Sequence, residues 1–164
     1  MTAVLGFSCA PHGDRGFQRV EDPESGFRIN LPSGWKRVPV DNIGLYQVPE
    51  RPQYNFLISR EEIEQEPDAP AVGQTAQLIL RSLRGARAQR TVASSPTRGV
   101  WYYETALTER GRSKDDRHWM LLESRGRTLH YGVFTLSVLA EEADATETAA
   151  LVAILEPEIA AADF

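Results

Sequence analysis

The 164-residue sequence contains one cysteine, Cys9, and only two lysines, Lys36 and Lys114. A single cysteine excludes an internal disulfide, so burial of apolar side chains must hold the fold together. No apolar run approaches the roughly 18 residues that a membrane-spanning helix needs. The net charge of -5 argues against a nucleic-acid partner, because nucleic acids favour a basic surface. We therefore predict a domain that binds no nucleic acid and has no spanning membrane segment.

Signatures of catalysis and of cofactor binding are also missing. The motifs G-x-S-x-G, H-E-x-x-H and G-x-G-x-x-G and the phosphate-binding P-loop do not occur. The histidines are His12, His118 and His130. His118 and His130 fall on neighbouring predicted strands and could approach each other as metal ligands, but no third ligand lies at a recognisable spacing. We predict no enzyme, no cofactor and no metal site, with both sheet histidines exposed or hydrogen-bonded.

The N-terminal segment allows two interpretations. A short apolar run ends at Cys9, and a segment rich in Gly, Pro and charge follows over residues 10–26. A lipoprotein signal ends in this way, with the lipid on the cysteine, but here the charged start is missing and the apolar run is short. Either the signal is truncated and Cys9 carries a lipid anchor in the cell envelope, or an edge strand buries Cys9 in a cytoplasmic protein. We predict that residues 1–20 are a flexible arm or signal remnant and that 21–160 form a single domain.

Apolar periodicity predicts two helices. The first, expected to be capped by Asp68 and ended by Gly85, has its apolar residues on one face at helical spacing: Val72, Ala76, Ile79, Leu80 and Leu83. The second begins at Asp144 or Thr146 and should end at Pro157, since proline interrupts helical hydrogen bonding. Its predicted apolar face consists of Ala150, Leu151, Ile154 and Leu155.

Strand patterns account for most of the remaining chain. They are predicted near 27–31, 44–48, 55–60, 90–94, 100–108, 118–123 and 128–138, with 61–73 a connection and 109–117 a charged hairpin loop. The last strand is apolar on both faces, which predicts a central position in a sheet covered on both sides. On 100–108, Trp101 and Tyr103 should share one face and Tyr102 the other. The fold class is α+β, an α/β/α sandwich with a curved, mainly antiparallel sheet of about six or seven strands and two main helices.

Two short motifs resemble those of a known superfamily. Phe27, Ile29, Pro32, Gly34 and Trp35 form the pattern F-x-I-x-L-P-x-G-W, which resembles the start of the PsbP-like (Ran-binding import factor/PsbP/DcrB-like) α/β/α sandwiches. The segment NFLISR at 55–60 is similar to a strand of the bacterial DcrB-like members. The resemblance covers about residues 27–156 and implies a structural role for these residues, with Pro32 and Gly34 in a turn and Trp35 in the core.

The resemblance implies a non-catalytic bacterial protein-binding module. Such a protein would act as an accessory envelope protein, or as an adaptor or immunity partner of a secreted protein. We expect a monomer that recognises another protein through loops at about 42–53 and 109–117, with Arg110, Arg112, Lys114 and Asp115 as the candidate partner-binding residues. The alternative that 109–117 is a solvated hairpin tip without a binding role also stays open. So does the alternative of a small-molecule- or metal-binding lipoprotein with a pocket between sheet and helix.

Overall fold

The computed structural model describes residues 16–49, 51–109 and 111–164. Cys9, His12 and Arg110 lie outside these residues, and the lipid anchor at Cys9 stays a prediction. The strands are β1 (Phe17–Glu21), β2 (Arg28–Pro32), β3 (Lys36–Val38), β4 (Gly44–Gln47), β5 (Asn55–Glu64), β6 (Arg87–Ser94), β7 (Arg98–Glu109), β8 (Arg112–Arg125) and β9 (Thr128–Leu139). The helices are α1 (Val72–Ser82) and α2 (Ala145–Ala161), and a 3-10 turn, Ala140–Glu142, precedes α2.

Seven strands form one antiparallel sheet in the order β3-β4-β5-β9-β8-β7-β6, and β1 and β2 form a separate hairpin. The central place of β9 confirms the prediction made from its two apolar faces. Phe134, Leu136 and Val138 of β9 enter one core, and Leu129 enters the other. This architecture confirms the predicted α+β sandwich.

The two cores lie on opposite faces of the sheet. One core packs α2 and the β1–β2 hairpin against the sheet and includes Tyr102 and Trp119. The other packs α1 against the sheet and includes Trp101 and Tyr103. The predicted division of these aromatic residues between two faces is therefore confirmed.

The turn after β2 places Trp35 in the first core. The backbone N–H of Trp35 donates to the carbonyl of Pro32 at 3.2 Å, and Gly34 has a φ of 95°. A positive φ is accessible to glycine at little cost, which explains the glycine here. Trp35 is 7% exposed and meets the ring of Phe56 edge-on at 5.7 Å. The predicted turn and buried tryptophan are confirmed.

A buried carboxylate fastens the hairpin to the sheet. Asp22 is fully buried and accepts hydrogen bonds from the backbone N–H and hydroxyl of Ser25 and from the hydroxyl of Tyr46 on β4. Arg37 on β3 lies 3.6 Å from the same carboxylate. Burial, and next the Asp22 carboxylate, raise the pKa of the Tyr46 hydroxyl, which therefore stays a donor.

Several predicted boundaries of strands and loops are wrong. Phe17–Glu21, in the segment predicted to be a flexible arm, form β1, whereas for residues 1–15 the arm stays a prediction. The short strand β3 was not predicted, and β5 continues to Glu64 instead of ending at residue 60. The supposed loop 109–117 is mostly strand, because β8 begins at Arg112 and pairs with β7 from there onward.

The helix limits also differ from prediction. Ala71 is the N-cap of α1 and makes no side-chain capping bond, so Asp68 does not cap the helix. Helix α2 continues through Pro157 to Ala161. Pro157 leaves the carbonyl of Ala153 without its helical donor, but both residues are exposed, and burial of Ile159 beyond the proline stabilises the last turn. The buried residues of α2 are Thr148, Leu151, Leu155 and Ile159, whereas Ala150 and Ile154 are exposed.

Candidate functional site: the open sheet face and the Lys114 cleft

Helix α1 covers only part of its side of the sheet. It packs over β7 and β8 against Trp101, Met120 and Leu122. On the same sheet face, Leu45 of β4, Leu57 of β5, and Val133 and Leu139 of β9 are half-buried and belong to neither core; we call the surface of these four residues the open face. Apolar side chains that no core absorbs mark a candidate binding surface.

A row of polar side chains crosses the sheet beside the open face. His118 on β8 makes two hydrogen bonds of 2.9 Å, between Nε2 and the hydroxyl of Thr105 on β7 and between Nδ1 and the hydroxyl of Thr135 on β9. Its ring stacks on Tyr103 with centroids 4.6 Å apart. Burial lowers the pKa of His118, against the opposing effect of the nearby Asp116 carboxylate. Burial therefore favours the neutral imidazole, and the two hydrogen bonds and the stacked ring hold it in position in the sheet.

The second sheet histidine is not near the first. His130 lies on the opposite sheet face, where Nδ1 is 3.1 Å from Arg60 and 3.3 Å from Glu62. The sheet therefore separates the two rings, and the histidine pair considered from the sequence does not form. In the three described stretches of chain, no group of three or more His, Cys, Asp or Glu side chains could hold a metal ion.

The two predicted recognition segments meet at one end of the sheet. A cleft of about 370 Å³ lies there, at the end of the open face. Its walls come from β4, the β4–β5 connection, β5, β8, β9 and the 3-10 turn; they are Leu45, Pro52, Gln53, Asn55, Leu57, Lys114, Ser137, Val138, Leu139 and Glu142. We call it the Lys114 cleft. A smaller depression of about 250 Å³ lies at the start of α1, between Pro70 and Arg127.

The candidate partner-binding residues are divided between the two faces of the sheet. Lys114 lines the cleft, and Arg112 lies on the same face at 3.4 Å from Glu141 and 3.7 Å from Glu142. Asp115 points to the opposite face and pairs with Arg87 at 3.4 Å. Their role in partner binding stays a prediction.

The apolar residues of the open face were not predicted as site residues. Leu45 lies within the predicted recognition segment 42–53 but is not singled out there, and Leu57 lies in a segment that the sequence identifies only as a strand. The signal that would have found them is the size of α1, since 11 residues of helix span about 16 Å. Seven strands spaced by about 4.8 Å need more cover than one such helix provides.

Comparison of the sequence with protein-family models and with curated proteins gives no match. Solved structures of similar fold exist. LpqN of Mycobacterium tuberculosis, described as involved in cell envelope biogenesis, superposes with a TM-score of 0.50 at 15% identity over 77% of this chain and 80% of LpqN. A protein of Bacteroides thetaiotaomicron gives a TM-score of 0.54 at 19% identity over 91% of this chain, which spans only 48% of that structure.

The Ran-binding protein Mog1p of Saccharomyces cerevisiae is also similar, with a TM-score of 0.48 at 12% identity over 87% of this chain and 84% of Mog1p.

No helix in the described parts of the chain is long and apolar enough to cross a membrane. The two-helix, seven-stranded antiparallel architecture, together with the LpqN and Bacteroides structures, shows that the chain has the PsbP-like α/β/α fold.

Proposed function

We propose that this protein is a non-catalytic bacterial protein-binding module that serves as an accessory protein of the cell envelope, or as an adaptor or immunity partner of a secreted protein. The observation that carries this proposal is the open face. Its half-buried leucine and valine side chains stand on a rigid antiparallel sheet beside the Lys114 cleft. A partner surface placed there would bury them and complete the layer that α1 leaves unfinished.

The chemistry of His118 supports binding rather than catalysis. A histidine that activates a nucleophile is usually oriented by a carboxylate on its second ring nitrogen. Here both ring nitrogens of His118 bond threonine hydroxyls, which leaves no carboxylate to orient the ring. In this function the hydroxyls of Thr105 and Thr135 hold the His118 ring and are not nucleophiles.

The envelope location rests on two supports of different kinds. LpqN, a protein of the same fold, is described as involved in cell envelope biogenesis. The Cys9 segment matches part of a lipoprotein signal, as described above. The adaptor or immunity role rests on the family resemblance alone.

Partner capture with matched variants tests the protein-binding function. The tagged full-length chain is incubated with lysate of its native host, and retained proteins are identified by mass spectrometry. Leu107→Glu places a charge on the same sheet face as the open face, on β7 opposite Lys114, and Leu78→Glu is the control on the outer surface of α1. The two leucines are 54% and 59% exposed, so neither change should lower the melting temperature.

We expect one specific partner that wild type and Leu78→Glu retain and Leu107→Glu loses. A second pair tests the sheet-end charge: Arg112→Glu should weaken retention, whereas Arg127→Glu, at the opposite end of β8–β9, should not. No partner above background would contradict the function. If Leu107→Glu retains the partner as well as wild type does, the open face is not the binding surface.

The Lys114 cleft favours a second candidate, a small-molecule-binding lipoprotein. Its volume of about 370 Å³ is near the lower end of the range of ligand pockets. A bound ligand would raise the melting temperature, because it stabilises only the native state. A panel of metals and metabolites measured by thermal shift distinguishes the two functions, and the absence of any stabilisation would count against this one.

A further inference from the structure

We infer that the Lys114 cleft binds the C-terminal carboxylate of a partner protein whose last residue is apolar. The inference rests on the proposed protein-binding function and names the chemistry that the partner presents. A site of this kind needs an apolar wall, a positive charge without an internal partner, and hydrogen-bonding groups for the peptide backbone. The cleft provides each of them.

The apolar wall consists of three leucines, one from each of the neighbouring strands β4, β5 and β9. Leu45 and Leu57 face each other across β4 and β5, and Leu139 ends β9. All three are half-buried and lie outside both cores, so their exposed surface is available for contact. An apolar terminal side chain would remove this surface from water.

The positive charge is Lys114. Glu142 is the one acidic side chain that lines the cleft, and it pairs with Arg112 at 3.7 Å. Among the described side chains, no carboxylate lies within 4.0 Å of the Lys114 ammonium. Arg112, on the same strand face, is thus the cation that pairs with Glu142, as it does with Glu141 at 3.4 Å, and the ammonium of Lys114 is left for a ligand carboxylate.

The other polar groups favour a peptide over a free fatty acid. Gln53, Asn55 and Ser137 line the cleft, and none of these side chains bonds another group in the described parts of the protein. Two carboxamides and a hydroxyl match the N–H and C=O groups of a peptide backbone. A fatty acid offers only its carboxylate and would leave these groups without a protein or ligand partner.

A pair of peptide libraries tests the inference. The immobilised full-length protein is incubated with random synthetic pentapeptides that end in a free carboxylate, and separately with the same library amidated at the C-terminus. Retained peptides are sequenced. We expect the free-acid library to be retained about tenfold more strongly, with Val, Leu, Ile or Phe enriched at the last position.

Variants then assign the effect to the lysine. Lys114→Gln should abolish the preference for the free acid, and Lys114→Arg should keep most of it. Lys36→Gln, which changes the only other lysine of the chain, is the matched control and should behave as wild type. Octanoate is included as a competitor: if it displaces the peptides at lower concentration than they bind, the ligand is a fatty acid and the inference is overturned.

The outcomes separate this inference from the proposed function. Equal retention of acid and amide libraries, or an unchanged preference in Lys114→Gln, overturns the carboxylate site. If partner capture still depends on Leu107 in that case, the protein-binding function stands without it. Failure of both experiments overturns the function as well.

Discussion

The two faces of the seven-stranded sheet are covered to different extents. On one face, α2 and the β1–β2 hairpin leave the central side chains of β5 and β9 fully buried, as at Ile58 and Phe134. On the other face, α1 buries Met120 and Leu122 but leaves Leu57 and Val133 partly accessible. Adjacent residues of a single strand, such as Leu57 and Ile58, therefore meet different environments. The first face is fully covered by packing, whereas the second leaves the apolar surface that we propose as the recognition surface.

We call the sheet face that α2 and the β1–β2 hairpin cover, with Ile58 and Phe134, the closed face. A change at Trp35, which packs on this face, should lower the stability of the protein most. Truncation to alanine would remove a 7% exposed ring from contact with Phe56 and leave a cavity in the core. We expect Trp35→Ala to lower the free energy of unfolding by about 3–5 kcal/mol. Urea denaturation followed by circular dichroism measures this. A loss below about 1 kcal/mol would show that the turn after β2 contributes little to the core.

Truncation of two adjacent residues of β5 compares how tightly the two sheet faces are packed. Ile58→Ala, on the closed face, should cost about 3 kcal/mol, because the fully buried side chain leaves a cavity. Leu57→Ala, on the open face, should cost about 1 kcal/mol or less, since water already contacts the side chain. The same denaturation experiment compares both. Equal costs would mean that the open face is packed as tightly as the closed one and is not a free surface.

The smallest expected effect is on the pH dependence of stability, through His118 beside the open face. Burial lowers the pKa of His118 in the folded state, so the unfolded chain, with a histidine pKa near 6.5, binds the proton more readily. Stability should therefore fall as pH decreases through about 6.5 and continue to fall until the lowered folded pKa is passed. His118→Asn should flatten this dependence. Melting temperatures between about pH 5 and 7.5 provide the measurement, and identical slopes for wild type and variant would contradict it.

Much of the fold could be predicted because its strongest elements carry local signals. Helix α1 has a regular apolar stripe, and Trp35 follows a proline-glycine turn. Strand β1 has no such signal: its burial alternates only weakly, and Val20 is the main apolar residue that it contributes. The charged start of β8 has the composition of a loop, because its residues pair with β7 beyond the edge of both cores, where polar side chains are tolerated.

The candidate site was harder to predict, for a physical reason. Lys114 was identified from its place in a charged segment, but the open face depends on where α1 lies over the sheet. Leu57 and Ile58 are both apolar and adjacent, and only the position of the covering helix distinguishes them. Likewise, Arg112 and Asp115 belong to opposite faces once the supposed loop is a strand, which the alternation of side chains then requires.

The closed face has a consequence for synthesis on the ribosome. The backbone of Arg28 is bridged to Asp163 by two hydrogen bonds, and the Arg28 side chain also binds the Asp163 carboxylate at 2.7 Å. Phe27 packs against both Phe134 and Phe164. The β1–β2 hairpin is synthesised before these partners, and Asp163 lies 135 residues after Arg28, so the apolar residues of the hairpin stay without these contacts until the end of α2 has been made. Contacts of such long sequence separation form slowly, which makes the unfinished chain a natural client for chaperones.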